Sequence, residues 1–142
     1  MAIVSATRVR VRSLLFLPGF LLASGRASRQ AASAPGFRRG QLVVDHGRTF
    51  WTVTLWDDAA SMEAFHGADA QEAVPGMTLW YDEAATARWE QGSDALPDPE
   101  ELGQRMVAAA RFVELPNASR AHAAGSGPMP PRPYTIQAIK RR

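Results

Sequence analysis

The segment Arg48-Thr49-Phe50-Trp51-Thr52-Val53-Thr54-Leu55-Trp56 constrains the fold more than any other part of this chain. Its alternation predicts a β-strand with Phe50, Thr52, Thr54 and Trp56 on one face and Trp51, Val53 and Leu55 on the other. Both faces carry large apolar groups, so both need cover from water. A single layer of helices covers one face. A second copy of the sheet is the simplest cover for the other.

The flanking sequence supplies the remaining elements. Ser5 to Arg12 alternates without a break, with Thr7, Val9 and Val11 on one face and Arg8, Arg10 and Arg12 on the other. Residues 1–30 also admit a secretory-signal reading: arginines as the charged start, Leu14 to Leu22 as the apolar run, and Ala23-Ser24-Gly25 near a cleavage site. A signal needs no alternation, and Pro18-Gly19 interrupts the run, so the strand is preferred. No segment is long and apolar enough to span a bilayer. The expectation is a cytoplasmic protein with no membrane partner.

Pro18 suits an early helical position, and Gly19 to Ser33 reads as a helix ended by Pro35-Gly36. Phe37 to Val44 is a second strand, joined to the two-faced strand by Asp45-His46-Gly47 as a hairpin turn. Asp57-Asp58 caps a helix from Ala59 to Val74 with Met62 and Phe65 inward. Met77 to Ala87 includes a second short helix, and Thr86 to Gln91 is a fourth strand. Asp98 and Pro99 start a helix that runs to about Ala110 on a Leu102, Met106 and Val107 stripe. Phe112 to Leu115 is a short strand; Tyr134 to Ile139 is an edge strand or an unfixed tail. This order is α+β, an antiparallel sheet with helices on one face. It gives one domain over residues 1–115 and a Pro/Gly-rich extension over 116–142.

Composition removes much chemistry. The 142 residues include no cysteine, which excludes disulfides, a thiolate nucleophile, a cysteine-ligated zinc site and a cysteine-held iron–sulfur cluster. His46, His66 and His122 are the only imidazoles, and their spacing suggests no metal site. Residues 1–48 carry eight arginines against Asp45, whereas residues 49–116 carry three arginines against thirteen acids. No nucleic-acid motif accompanies this basic end, so no nucleic-acid partner is expected. A basic end and an acidic middle fit self-association better.

Individual residues carry two readings each. Trp51, Trp56, Trp80 and Trp89 either wall a pocket for a flat ligand or fill a core or dimer interface. Arg10 and Arg12, on one strand face with Arg8, pair with acids across a dimer or grip a substrate carboxylate. His66 follows Phe65 and is either a proton carrier or haem ligand at a pocket mouth, or surface. Capping explains Asp57-Asp58.

Three stretches support a resemblance: Thr7-Arg8-Val9-Arg10-Val11-Arg12-Ser13, Ala34-Pro35-Gly36-Phe37, and Phe50 to Asp58 followed by Ala59-Ala60-Ser61-Met62-Glu63-Ala64-Phe65. Over about residues 3–91 the chain resembles the dimeric α+β barrel (ferredoxin-like) superfamily, which includes the antibiotic biosynthesis monooxygenases, and within it small relatives of spheroidene monooxygenase. The resemblance implies a homodimeric, monooxygenase-like enzyme acting on an apolar or aromatic metabolite between sheet and helices, either without a cofactor or with haem. It implies pocket residues Arg10, Trp51, Thr54, Trp56, Phe65, Gln71 and Trp80, with His66 as the catalytic candidate. Relatives often carry a histidine a few residues after the equivalent of Phe65, where this chain has Gly67-Ala68-Asp69-Ala70-Gln71. Gln71 replaces no acid, base or strong metal ligand. A non-catalytic ligand-binding or interaction protein, or a cyclase or isomerase, is the alternative on the same fold.

Overall fold

The two-faced segment forms a strand at the heart of a six-stranded sheet in the computed structural model, which describes residues 2–72, 77–112, 115–123 and 133–141. For residues 66–72, 77–78, 121 and 133–134 it describes the backbone alone. The elements in chain order are β1 (Ala2–Val11), α1 (Leu17–Ser33), β2 (Phe37–Asp45), β3 (Thr49–Trp56), α2 (Ala59–Glu72) and β4 (Tyr81–Gln91). There follow α3 (Pro99–Ala109), β5 (Arg111–Phe112), α4 (Arg120–Ala123) and β6 (Pro133–Lys140). Short 3-10 turns at Leu14–Phe16 and Met77–Trp80 precede α1 and β4. The strand order is β5-β4-β1-β3-β2-β6, and every pairing is antiparallel.

Register sorts the side chains, because residues directly opposite one another share a face. Ile3, Ser5, Thr7 and Val9 oppose Trp56, Thr54, Thr52 and Phe50. Over this face α1 lies against β2 and β6, and α2 against β1 and β3. Two apolar clusters hold the helices down. Phe20 of α1 packs on Val11, Phe50 and Tyr81, and Ala31, Ala32 and Met62 pack on Phe37, Trp56 and Ile139.

The opposite face carries Ala2, Val4, Ala6, Trp51, Val53, Leu55, Ala85 and Ala87 under Leu102 and Met106 of α3. Both faces of β3 are therefore covered, as its pattern requires. The cover differs from the simplest expectation: the chain's own α3 takes part of the face assigned to a second copy. Leu102 and Met106 are fully buried there, which the apolar stripe of α3 explains.

Other boundaries also move. The stretch Met77 to Ala87, expected to hold a short helix, is helical only to Trp80; β4 then starts at Tyr81, five residues before the expected strand. Alanines there favour helix locally, but pairing along the whole of β1 overrides that preference. Arg48 belongs to the hairpin turn (φ 59°) rather than to β3, and its Nε donates to the Val11 carbonyl at 2.9 Å. The C-terminal segment is an edge strand: β6 pairs with β2, with Gly40 opposite Ile139 and Leu42 opposite Gln137. Residues 73–76 and 113–114, at the expected ends of α2 and the short strand, lie outside the described residues.

Gly36 fixes the entry to β2. Its φ is +82°, and an added Cβ would lie 2.3 Å from Ser61 Oγ. Its carbonyl accepts from the Asp57 amide at 2.8 Å, tying the start of β2 to the end of β3. Among the described residues no helix is long and apolar enough to cross a membrane.

Candidate functional site

Between the two aromatic clusters, the helix-covered face turns polar. Ser5 opposes Thr54 and Arg88, and Thr7 opposes Thr52 and Thr86, so β1, β3 and β4 present five hydroxyls and one guanidinium as a continuous floor. Ser5 and Thr54 are buried; Thr7, Thr52 and Thr86 are half-buried, and Arg88 is exposed at the sheet side. A buried hydroxyl normally finds a partner. Thr54 Oγ1 donates to the Ser5 carbonyl at 3.5 Å and accepts from Trp56 Nε1 at 2.9 Å. The hydroxyls of Thr7, Thr52 and Thr86 are engaged by no residue among those described.

Trp56 is fully buried and stands between floor and wall. Its ring lies 5.5 Å from Phe37, edge-on, and 5.2 Å from Phe65 of α2. The opposite wall is Phe20 against Phe50 at 4.6 Å and against Tyr81 at 6.0 Å. A polar floor between aromatic walls suits a flat ligand with an apolar body and a few oxygens.

Three of the seven residues expected to line a pocket meet here: Thr54, Trp56 and Phe65. Trp80 is half-buried on the same face, packed against the Phe20 cluster. Gln71 stands on α2, like His66; both side chains lie outside the described residues. Arg10 and Trp51 are on the opposite face, where Trp51 is fully buried and its Nε1 donates to Asp45 Oδ2 at 3.1 Å. Trp89 is there too, its ring 5.3 Å from the Arg105 guanidinium. Ser5, Thr7, Thr52, Thr86 and Arg88 were not among the expected residues. Their signal was the i, i+2 repeat of hydroxyls in two segments, Ser5/Thr7 and Thr52/Thr54, and the Thr86/Arg88 pair in a third, which only the register brings side by side.

The arginine face is paired with acids within the chain, though Arg8 Nε, Arg10 Nε and Asp82 Oδ1 are buried without a hydrogen-bond partner among the described residues. Arg8 Nη1 donates to Glu83 Oε1 at 2.7 Å, and Arg10 bridges Glu83 Oε2 at 3.3 Å and Asp82 Oδ2 at 2.9 Å. Ser119 Oγ adds a bond to Glu83 Oε2 at 3.1 Å. Burial pushes the Glu83 carboxyl up, and the Arg8 bond, the charges of Arg8 and Arg10 and the Ser119 bond outweigh it, so its pKa lies below the ordinary value. Acids across a dimer are not needed to explain these arginines. Arg12 leaves the strand, donating to the Leu79 carbonyl at 2.6 Å.

The remaining titratable candidates have structural roles. Asp58 Oδ1 accepts from the Ser61 amide at 2.7 Å and caps α2, and those Ser61 bonds lower its pKa. Asp57 accepts from Arg38 at 2.5 Å. His46 is exposed in the turn, and His122 Nε2 donates to the Ala84 carbonyl at 3.1 Å. Among the described residues no group of histidines and carboxylates is placed to hold a metal ion. A separate open groove of about 320 Å³ lies between α1 and β6, bordered by Leu21, Arg29, Leu42 and Lys140.

A scan against models of known protein families finds no match, and neither does a comparison with curated proteins. Solved structures do match. A conserved protein from Methanosarcina mazei Go1 superposes with a TM-score of 0.58 at 14% identity, covering 65% of this chain and 94% of its own. A putative antibiotic biosynthesis monooxygenase from Nitrosomonas europaea gives a TM-score of 0.53 at 14% identity, covering 63% and 89%. A mutant of MhuD with two manganese protoporphyrin IX molecules bound per active site gives 0.50 at 19% identity, covering 67% and 99%. Identities this low speak for the fold and leave the activity open. The chain has the ferredoxin-like α+β fold of the antibiotic biosynthesis monooxygenases.

Proposed function

We propose that the chain is a small monooxygenase-like enzyme acting on an apolar or aromatic metabolite held on the hydroxyl floor between sheet and helices. The observation that carries this reading is the half-buried row Thr7, Thr52 and Thr86, set between the Trp56 and Phe20 clusters without partners among the described residues. Free hydroxyls flanked by aromatic walls offer hydrogen bonds to carbonyl or phenolic oxygens. The aromatic walls keep water away, and Arg88 at the rim offsets a developing phenolate or enolate charge. Reaction with O₂ is then the substrate's chemistry, and the protein binds and orients.

Haem does not fit what is described of this site. The floor offers hydroxyls, a guanidinium and aromatic rings; His46 and His122 are elsewhere, and the two side chains of ligand type nearby, Met62 and Tyr81, are buried in the apolar packing of the Trp56 and Phe20 clusters. A stoichiometric Soret band that His66→Ala abolishes would reverse that judgement.

The test is oxygen uptake with a naphthohydroquinone probe, on the wild type and on Thr52→Val. Thr52→Val removes one floor hydroxyl and keeps the shape. The expected result is faster uptake than the uncatalysed rate in the wild type and a roughly tenfold or larger loss in the variant. Saturable binding of the probe without any uptake above background would favour the ligand-binding alternative. A homodimer belongs to the same reading, with Val107, 60% exposed on the outer side of α3, as an apolar residue it would cover. A monomeric mass in solution would remove it.

A further inference from the structure

Five of the eight large apolar side chains exposed on the described surface belong to the Leu14–Phe16 turn, the start of α1 and the Met77–Trp80 turn: Leu14, Leu15, Leu21, Leu22 and Leu79. Leu14 is 67% exposed, Leu15 86% and Leu22 68%, values rarely left clustered on a protein with no partner. Leu14, Leu15, Leu21 and Leu22 fall on the Leu14–Phe16 turn and the first two turns of α1. Arg12 stacks on the Phe16 ring at 4.6 Å and donates to the Leu79 carbonyl, locking the Leu14–Phe16 turn to the Met77–Trp80 turn. Gly19 backs directly onto the Trp80 ring: a Cβ there would stand 3.1 Å from it.

The segment that supplies four of the five leucines carries charge of one sign. Residues 1–44 contain no aspartate or glutamate. Arg26 and Arg29 follow Leu22 at i+4 and i+7, hence along the same helical stripe. Arg12, Arg26 and Arg29 have no carboxylate partner among the described residues, unlike Arg8, Arg10 and Arg38. Lys140 joins Arg29 across the groove between α1 and β6. A closed two-fold contact through this patch would bring two arginine-flanked surfaces together, which is unfavourable.

We propose that this leucine-tipped, arginine-flanked end of α1 docks on an anionic lipid bilayer, with the leucines entering the acyl boundary and the guanidinium groups taking lipid phosphates. Guanidinium forks match phosphate oxygens, and apolar insertion plus basic flanks is the usual basis of reversible surface binding. The expectation of no membrane partner rested on the missing spanning segment, which surface binding does not need. The proposal stands independently of the ligand-site reading.

The experiment is flotation of the full chain with vesicles of phosphatidylcholine alone and with vesicles that also contain phosphatidylglycerol. The expected result is co-flotation with the anionic vesicles, weakening as salt rises, and little with the neutral ones. Leu14→Ser/Leu15→Ser/Leu22→Ser and Arg26→Glu/Arg29→Glu should each lower partitioning roughly tenfold or more, with an unchanged circular dichroism spectrum, because the altered side chains are exposed. Absence of the wild type from floated anionic vesicles overturns the proposal, as does a leucine variant that floats like the wild type. A vesicle-free dimer that the leucine variant converts to monomer would assign the patch to a second copy and overturn it too.

Discussion

Glu83 holds two arginines and a serine at once, and it shows how a polar group earns a place on a mostly apolar sheet face. Its side chain is 13% exposed and that of Arg8 16%, so removing the charge strands Arg8 with little water, whereas Arg10 keeps Asp82. Glu83→Gln should cost about 2 kcal/mol in denaturant unfolding, below the loss for a fully buried pair; a cost under about 0.5 kcal/mol would mean Arg8 finds water instead. The folded pKa lies below the ordinary one. The pairing therefore contributes fully above the ordinary glutamate range and is lost as pH falls through the lower folded value. Acid titration of stability should be steeper in the wild type than in Glu83→Gln over that range. Trp56 is the matching case on the other face: Trp56→Phe keeps an aromatic ring but loses part of the buried ring volume and leaves the Thr54 hydroxyl short of a donor. It should cost about 1–2 kcal/mol by thermal unfolding, and a variant as stable as the wild type would show that the hydrogen bond contributes nothing net.

At the scale of elements, local punctuation sets the geometry. Gly36 sits where a positive φ and the Ser61 side chain both exclude a Cβ. Gly36→Ala should destabilise by about 2 kcal/mol or more, and Ser61→Ala should not restore the loss, because the Ser61 Cβ itself would stand 2.4 Å away. Full rescue would place the strain elsewhere. Asp98 accepts from the Glu101 amide at 2.8 Å and starts α3, so Asp98→Ala should cost about 1 kcal/mol by denaturant melting; no loss would mean Pro99 and the apolar stripe start α3 unaided. These elements were legible in the sequence because caps, breakers and alternation are local. The early start of β4 was not, since Tyr81 to Ala85 is extended only because β1 runs beside it.

For the whole molecule, the covering of β3 was half legible. Two apolar faces demanded two covers, but nothing local said that α3 would cross to the second face. The site was less legible still. Trp56, Thr54 and Phe65 were visible as a strand end and a helix face, whereas the hydroxyl floor exists only when three strands are placed in register. Arg10 fell on the wrong side for the same reason: alternation gives two faces without saying which one the helices take.

The most direct measurement is a calorimetric titration of a hydroxylated naphthoquinone into the wild type and into Thr52→Phe, which fills the floor from its half-open side. Saturable binding to the wild type, and a loss of at least tenfold in the variant with its melting temperature kept within a few degrees, is the outcome predicted for a ligand site between sheet and helices. Equal binding to both proteins would place the ligand elsewhere, and no binding to either would contradict the site itself.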